Sequence, residues 1–541
     1  MHNLEKMPEE GILLPKNPAS KTRIFFELTE ALEKKEPLFV EGISDSLKSL
    51  LALCFRGKWI LYLCKTEERA KEILQDGKIF AENCLLFPAK DYLFYKADTR
   101  GNYISRERSE CLRQLVEEEE GVLVTTLPAM LEKLEGKNAF RQAVFTVQLG
   151  QTLSLESLQD SLHSLGYQRV DQVESRGEYS LRGGILDVFS NQMEEPLRIE
   201  FFDDEVDSLR YFSLESQRSL EQVEEANIYP VSEQGKPSSL KAFSLLDYLP
   251  KDCLVIVDEP VRVLEEGKRV EEEFIAYFSQ RAEAEKTEAN QEKDQRPLDL
   301  FSVRTLMEEC ASRPIFFFSS LGGLSEWGEV FENPLKSISV ECREIPFYGK
   351  QFAQFKGDME KYKKEKVRIS LYSPSQSRAS RLAEELRKEG LSAYCPDRLS
   401  EDREEGEDTE NAGSIRVLPQ YLRKGFYLPK EKLLVMTEQD LYGQSLVGRK
   451  RRKKKQVESL HIGSLTELHK GDYVVHESHG IGIYEGIERI VTDGVSKDYL
   501  KILYGDGGNL YLPVNKLDGI EKYAGKEAKA PKLNRLNGSE W

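Results

Sequence analysis

The stretch Arg176-Gly-Glu-Tyr-Ser-Leu-Arg-Gly-Gly-Ile-Leu-Asp-Val-Phe189 decides how the middle of this chain folds. Two arginines and a Gly-Gly pair stand beside a short apolar run that ends in Phe189. Alternation along a strand puts Tyr179, Leu181, Ile185 and Phe189 on one face, with Ser180 and Arg182 on the other. A second stretch follows at once: Leu197-Arg-Ile-Glu-Phe-Phe-Asp-Asp-Glu-Val-Asp-Ser-Leu-Arg210. Leu197, Ile199 and Phe201 alternate there with Arg198 and Glu200. Asp203-Asp204 supplies a turn before a further strand from Val206 to Phe212. Together they predict a small antiparallel sheet with one arginine-decorated face. Residues from about Phe145 to Val231 complete this unit, with a helix from Leu155 to Leu165 ended by Gly166.

Outward from this sheet, 541 residues leave room for roughly three to five domains. The chain is 39% hydrophobic and 32% charged, with a formal net charge of -17, so its whole surface does not read as a nucleic-acid binder. The charge is uneven: Arg449-Lys-Arg-Arg-Lys-Lys-Lys455 is wholly basic, and Glu401 to Glu410 is mostly acidic. The basic run fits either a contact with a DNA or RNA backbone or a solvated linker. No aromatic residue interleaves it, which argues against base stacking. The eight cysteines show no C-x-x-C spacing, so zinc and thioredoxin-type readings are weak, and free thiols in a reducing cytosol fit. No signal peptide and no apolar run long enough to span a bilayer occurs.

Before the sheet unit, the chain reads as an alternating α/β pattern. Leu38–Val40, Trp59–Cys64, Leu85–Phe87 and Val122–Thr126 read as strands, with Leu47, Leu50, Leu51 and Cys54 on one helical face and a polar-faced helix from Thr66 to Leu74. This predicts a parallel sheet covered on both sides. At its first strand-helix junction, Gly42, Lys48 and Ser49 keep the spacing of a phosphate-binding loop, but Leu47 stands where the second glycine belongs. A leucine there obstructs the backbone nest that cradles a phosphate. Far downstream, Cys253-Leu-Val-Ile-Val-Asp258-Glu259 ends a strand as a Walker B strand would. The readings are an ATPase or a degenerate loop whose fold survives without nucleotide; the broken glycine position favours the second. No catalytic residue and no metal site is expected.

After the sheet unit the first fold resumes. Val255–Asp258, Pro314–Ser319 and Ile338–Ile345 read as strands, and Val263–Glu292 as a charged helical hairpin. A further α/β unit follows, with strands at Val367–Tyr372, Ile415–Val417 and Leu433–Thr437 and a helix capped at Ser373-Pro-Ser that runs to Gly390. The last unit, Gly471-Asp-Tyr-Val-Val-His-Glu-Ser-His-Gly-Ile-Gly-Ile-Tyr-Glu-Gly486, has glycines suited to bending strands round a small barrel. Gly505-Asp-Gly-Gly508 marks a hairpin. His461, His469, His476 and His479 crowd here, but His476-Glu-Ser-His479 is one residue short of a zinc-protease motif, and a structural role fits better. Gly486 to Val491 reads as an edge strand able to pair with a partner.

Three motifs carry a resemblance. The pattern R-G-(x)4-R-G-G-I-L-D-V-F, followed by E-F-F-D-D-E-V-D-S-L-R, resembles domain 2 of UvrB and the UvrB-like region of the transcription-repair coupling factor (Mfd) family. The phrase V-V-H-E-x-H-G-I-G-x-Y-x-G resembles the polymerase-interacting module shared by that family and CarD-type regulators. The resemblance implies a multidomain α/β protein: a degenerate domain 1A over 1–144, an inserted α+β domain 2 over 145–233, domain 1B over 234–350 and a small α/β domain over 351–448. A basic linker over 449–462, an SH3/Tudor-like all-β barrel over 463–525 and a linker over 526–541 toward an ATP-driven motor follow. It implies docking of UvrA on domain 2, with Arg176 and Arg182 at the matching positions and Arg169 and Phe189 beside them. The alternative is that Phe189 is core and the arginines are solvated or paired with Asp171, Glu174 and Glu178. It also implies contact of Arg489, Ile490 and Val491 with the RNA polymerase β subunit. DNA is met mainly through the motor, with Arg449–Lys455 as a weaker second contact, in a bacterial cytoplasm and with no membrane. The expected role is a non-enzymatic adaptor without a cofactor, ATP and Mg belonging to the motor. The rival is a UvrB-type DNA-dependent ATPase. UvrB's aromatic hairpin for probing damage is cut short here, around Asp91 to Tyr103, to Tyr92, Phe94, Tyr95 and Tyr103.

Overall fold

The computed structural model describes residues 18–534 except 56, 81–82, 90–101, 143, 191–192, 215, 232–242, 286–299, 350, 397–413, 443–458, 462–467, 477–479, 493–494, 506–507, 514–519, 524–530 and 532. The acidic run 401–410, the basic run 449–455, and Tyr92, Phe94 and Tyr95 lie outside the described residues. Among the described residues, no helix is long and apolar enough to cross a membrane. All eight cysteines are free.

Seven strands form the first sheet, in the order Lys336–Ser339, Leu38–Glu41, Ile315–Ser319, Leu254–Asp258, Trp59–Cys64, Gly121–Thr126 and Cys84–Phe87. Every neighbouring pair is parallel. The strands are apolar throughout because both faces are covered: Leu61, Leu63, Val255 and Phe317 point into one layer, and Ile60, Tyr62, Ile256 and Phe316 into the other. Of the charged stretch expected as a hairpin over 263–292, the part up to Glu285 is one helix, Pro260–Glu285, and 286–292 lie outside the described residues. Val263 and Leu264 are buried, while Arg269 bridges Glu266 and Glu273 on the outside, so one turn-to-turn pattern serves both faces. Gly267 allows close approach, since a Cβ there would stand 2.5 Å from Leu127 Cδ2.

The inserted unit is a six-stranded sheet in the order Ser219–Gln222, Glu205–Phe212, Leu197–Phe202, Ile185–Phe189, Glu178–Arg182 and Gln168–Arg169. A separate pair, Phe145–Gln148 with Glu225–Ile228, closes it at the point of insertion. The helix Leu155–Ser164 packs Leu158 and Leu162 into its core. One assignment of faces is corrected. Gly183-Gly184 makes a two-residue turn in which Arg182 pairs with Ile185 and Glu178 with Phe189. Such a turn puts its flanking residues on the same side, so counting by twos through it fails. Ile185 and Phe189 therefore share the face of Ser180 and Arg182, while Tyr179, Leu186 and Val188 face the core.

A third sheet follows, ordered Arg343–Glu344, Phe426–Leu428, Leu433–Thr437, Arg368–Tyr372, Ile415–Leu418 and Ala393–Tyr394. It reaches back across the boundary expected at 350/351. The strand expected over Ile338–Ile345 is divided between two sheets, Lys336–Ser339 in the first and Arg343–Glu344 in the third. One face packs under the helices Phe352–Lys364 and Gln376–Lys388. The other does not stand alone: Tyr372, Leu418, Leu422, Phe426, Leu428, Leu433 and Val435 join Phe25, Leu47, Leu51 and Ile60 in a single core.

The last sheet is antiparallel throughout, in the order Ser459–His461, Ile520–Tyr523, Tyr473–His476, Gly480–Thr492, Val495–Leu503 and Asn509–Pro513. It takes in residues 459–461, expected as linker. Asn534, also expected in a linker, clasps it: its side-chain carbonyl accepts from Ile481 N–H at 2.8 Å, and its own N–H donates to the Ile481 carbonyl at 2.9 Å.

A shared core makes the first and third sheets one cooperative unit. Phe426→Ala should cost about 3–5 kcal/mol and lower a single calorimetric transition. Two separate transitions, with only one of them moved, would contradict the shared core.

Candidate functional site

The first candidate site lies where strand Leu38–Glu41 meets helix Asp45–Ala52. Gly42 has φ +79°, and a Cβ on it would stand 2.3 Å from the Val340 carbonyl oxygen, so both backbone shape and space demand glycine. Its N–H and that of Ile43 both donate to the Ser319 carbonyl, at 2.9 and 3.3 Å. In a phosphate-binding loop, such groups point at the ligand. Leu47 is fully buried and packs in the core, and the Ser49 hydroxyl donates back to the Asp45 carbonyl at 3.1 Å.

Lys48 is fully buried. Its ammonium donates to Asp258 Oδ1 at 2.7 Å, Glu259 Oε1 at 2.5 Å and Asp45 Oδ1 at 3.4 Å. Those three carboxylates are close enough together to hold a metal ion, and the protein's own cation sits against all of them. Burial alone would lower the Lys48 pKa, but Asp258 and Glu259 outweigh it and hold the pKa above its ordinary value. Burial likewise pushes Glu259 up, but the hydrogen bonds from Lys48 and from Ser320 bring it down to about 2. Glu259 has φ +60°, an uncommon conformation for a residue other than glycine, which turns its side chain back over Lys48. Sequence reading missed the rest of the network. Arg69 Nε donates to Asp258 Oδ2 at 2.9 Å, and the Tyr62 hydroxyl donates to the same oxygen at 3.2 Å. Arg423, from the third sheet's side, pairs with Glu72 and lies 3.8 Å from Asp45.

The second candidate site is the outer face of the inserted sheet. Asp187 is buried and held by Arg198 through two bonds, at 2.6 and 2.8 Å, with Arg182 Nη2 at 3.3 Å. Arg198 lies over the Phe212 ring at 4.2 Å, and Arg210 pairs with Glu200. Arg182 has 55% of its side chain exposed. Arg176 is half-buried: Nε and Nη2 both donate to the Met193 carbonyl, at 3.1 and 3.0 Å, and its guanidinium lies 4.9 Å from the Phe189 ring. Phe189 is only 2% exposed, so it braces Arg176 from below rather than standing at the surface. Arg169 is exposed on the edge strand, level with the core-facing Tyr179 and apart from these pairs. Glu178 accepts from the backbone N–H groups of Glu174 and Ser175 rather than from an arginine. Asp187, Arg198, Glu200 and Arg210 were marked in the sequence only by their alternation with Leu197, Ile199 and Leu209.

The third site is the long hairpin of the last sheet. Strand Tyr473–His476 covers only Gly480–Ile483 of its neighbour, while Val495–Leu503 pairs with it from Ile483 to Thr492. Beyond Ile483 one edge carries no strand among the described residues. A bulge at Glu485, beside Gly486 at φ +115°, bends the hairpin there. Ile487 is 51% exposed, and Arg489 is exposed on the same strand. Ile490 and Val491 lie in the strand, and their side chains are outside the described residues.

Comparison with known proteins agrees with this geometry. Residues 145–233 match the UvrB interaction domain, and residues 468–524 match the CarD-like/TRCF RID domain. The chain thus joins, in that order, a UvrB-type interaction domain and a CarD-like module. It is homologous along nearly all of its length to transcription-repair-coupling factors. The factor of Bacillus subtilis (strain 168) is 28% identical over 94% of this chain and 47% of its own length. Those of Staphylococcus aureus strains bovine RF122 / ET3-1 and MRSA252 are each 26% identical, over 86% and 85% of this chain and 43% and 42% of their own lengths. The chain spans about half the length of the curated relatives it matches.

Two stability outcomes follow from the buried network. Lys48→Met leaves buried carboxylates without their cation and should cost about 3–5 kcal/mol, read as a lowered melting temperature. The Glu259 carboxyl, at about 2 in the fold against 4.5 ordinarily, stabilises fully above pH 4.5 and loses that effect as pH falls toward 2. The melting temperatures of wild type and Glu259→Gln should therefore differ at neutral pH and converge on acidification. A constant difference would contradict the pairing.

Proposed function

We propose that this chain is the adaptor portion of a transcription-repair coupling factor, which holds RNA polymerase through its C-terminal module and recruits UvrA through the inserted sheet. The observation that carries this reading is the presence, in one chain, of two separate surfaces suited to partners. One is an arginine-bearing sheet face within the UvrB-type interaction domain; the other is a free-edged hairpin within the CarD-like module. The expected SH3/Tudor-like shape of that module, and the polymerase β subunit as its contact, belong to the same proposal.

The chemistry of each surface suits its role. Arg182 presents spare donors in a planar fork that matches a partner's carboxylate, while Arg176, Arg198 and Arg210 are fixed by Met193, Asp187 and Glu200 and hold the platform. The edge beyond Ile483, which carries no strand among the described residues, can take an added strand through backbone N–H and C=O groups, with Arg489, Ile490 and Val491 alternating along it. The α/β body takes no part in nucleotide chemistry in this reading. The Lys48 ammonium and two of the loop's N–H groups already have partners, which supports a scaffold rather than an ATPase.

Charge reversal separates the two surfaces. Arg182→Glu should weaken UvrA binding by on the order of 2–5 kcal/mol and leave polymerase capture unchanged. Ile490→Arg should do the converse, abolishing polymerase binding while UvrA binding and the circular-dichroism melt persist. Pulldown of both partners by both variants would refute the assignments. An Ile490→Arg protein that lost its melt would instead place that side chain in the module's core.

A further inference from the structure

The third sheet holds a cavity that neither partner surface uses. Strand Arg368–Tyr372 lies between Ile415–Leu418 and Leu433–Thr437 and runs parallel to both, with Tyr372, Leu418 and Thr437 level at its end. Parallel strands that finish together leave a crevice beyond their carboxyl ends, the usual place for a ligand in such sheets. Here it is a cavity of about 280 Å³, walled by residues of the helix Gln376–Lys388, the loop after Leu418 and the short helix Glu438–Tyr442. Part of its lining is apolar: Leu382 belongs to the core under the helices, and Tyr372 and Leu422 to the core shared with the first sheet. Part is charged. Arg378 Nη2 donates to Glu438 Oε1 at 2.6 Å, and the Ser373 hydroxyl donates to Glu438 Oε2 at 3.0 Å. Arg381 and Glu385, both more than half exposed, form a second pair at 3.5 Å. Three lining residues keep a buried polar atom with no hydrogen-bond partner among the described residues: the Tyr372 hydroxyl, Arg378 Nε and the Gln420 side-chain carbonyl. Such atoms cost stability until something bonds them. One water takes about 30 Å³, and a wall of leucine gives further waters nothing to bond.

We propose that this cavity binds a free α-amino acid with an apolar side chain. The unpartnered atoms match the two ends of that zwitterion. Its carboxylate accepts from Arg378 Nε–H and from the Tyr372 hydroxyl, a combination that suits a guanidinium fork. Its ammonium donates to the Gln420 carbonyl and to Glu438, whose oxygens have lone pairs to spare. Its side chain lies against Leu382 and Leu422. The charge balance selects the same class of ligand. Two guanidinium groups and two carboxylates line the cavity, so a phosphate or another polyanion gains no net attraction there, whereas a molecule carrying one charge of each sign does. Apolar walls with a few convergent polar groups are the composition of a small-molecule site, and the volume suits a ligand of amino-acid size.

The test titrates the full chain with L-leucine, L-methionine and L-phenylalanine by isothermal calorimetry and follows the melting temperature of the same mixtures. The matching amine and the matching acid of each, which lack the carboxylate or the ammonium, serve as comparisons. At least one amino acid should bind with a dissociation constant of about 1 mM or tighter and raise the melting temperature. Its amine and its acid should each bind about ten-fold more weakly. Arg378→Lys keeps a cation beside Glu438 but loses the Nε–H, and should weaken binding by about ten-fold. Gln420→Leu removes an acceptor that nothing bonds in the free protein, so it should weaken binding by a similar factor without lowering the melting temperature of the free protein. Failure of all three amino acids to bind would overturn the proposal and leave the cavity to water. Equal binding of the amine or the acid would overturn it in favour of a pocket for apolar solutes in general. A Gln420→Leu protein that melts lower without ligand would show that the carbonyl is bonded within the fold, which also overturns it.

Discussion

Lys48, fully buried, has its ammonium within 2.7 Å of Asp258 and 2.5 Å of Glu259, and much of the molecule is arranged so that it can be there. Taking an ammonium and a carboxylate out of water is costly, and only close geometry with further hydrogen bonds offsets it. The surroundings supply both. Arg69 and Tyr62 satisfy the other oxygen of Asp258, Ser319 and Ser320 satisfy Glu259, and the left-handed backbone at Glu259 turns its carboxylate inward. The parallel sheet brings these groups together because strand Leu254–Asp258 lies two places from strand Leu38–Glu41, with only Ile315–Ser319 between. A position that in a nucleotide-binding loop serves a phosphate is served here by the protein's own charges.

The same network accounts for the third sheet's place. Arg423 adds a positive charge over Asp45 and Glu72, and the apolar side of that sheet closes over the helix that carries Lys48. What might have been a cleft between mobile lobes is a continuous core. In the proposed adaptor role a fixed body is an advantage, because ordering the body adds nothing to the free-energy cost of binding. The inserted sheet applies the same logic at smaller scale. Asp187 is buried under Arg198, and Phe189 lies against Arg176, so that Arg182 stands out from a platform whose other charges are already paired.

Much of this was legible in the residues. The apolar strands Leu38–Glu41, Trp59–Cys64, Gly121–Thr126 and Leu254–Asp258 declared themselves, as did the Asp203-Asp204 turn, because strand periodicity and turn chemistry are local. What failed was long-range or depended on parity. The face of Phe189 was misread because a two-residue turn resets the alternation, while its place in the core was one of the two readings the residues allowed. The split of 336–345 between two sheets, and the fusion of the third sheet with the first, are tertiary facts that no window of sequence holds. The helix Pro260–Glu285 was taken for a hairpin because its charge pattern hid the buried line of Val263, Leu264 and Gly267. Lys48 was marked in the sequence by the spacing of a phosphate-binding loop, but Arg69 and Arg423, which complete its setting, carry no motif.

Isothermal titration of the full chain with ATP and Mg at neutral pH tests the central claim most directly, since an ammonium held by Asp258 and Glu259 is not free for an incoming phosphate, and those carboxylates are not free for its metal ion. The account predicts no binding heat at up to about millimolar ATP, for wild type and for Leu47→Gly alike, because Ser319 and the carboxylates still occupy the loop and Lys48. A dissociation constant of about 10 μM or tighter, some −7 kcal/mol, for the wild-type chain would contradict it.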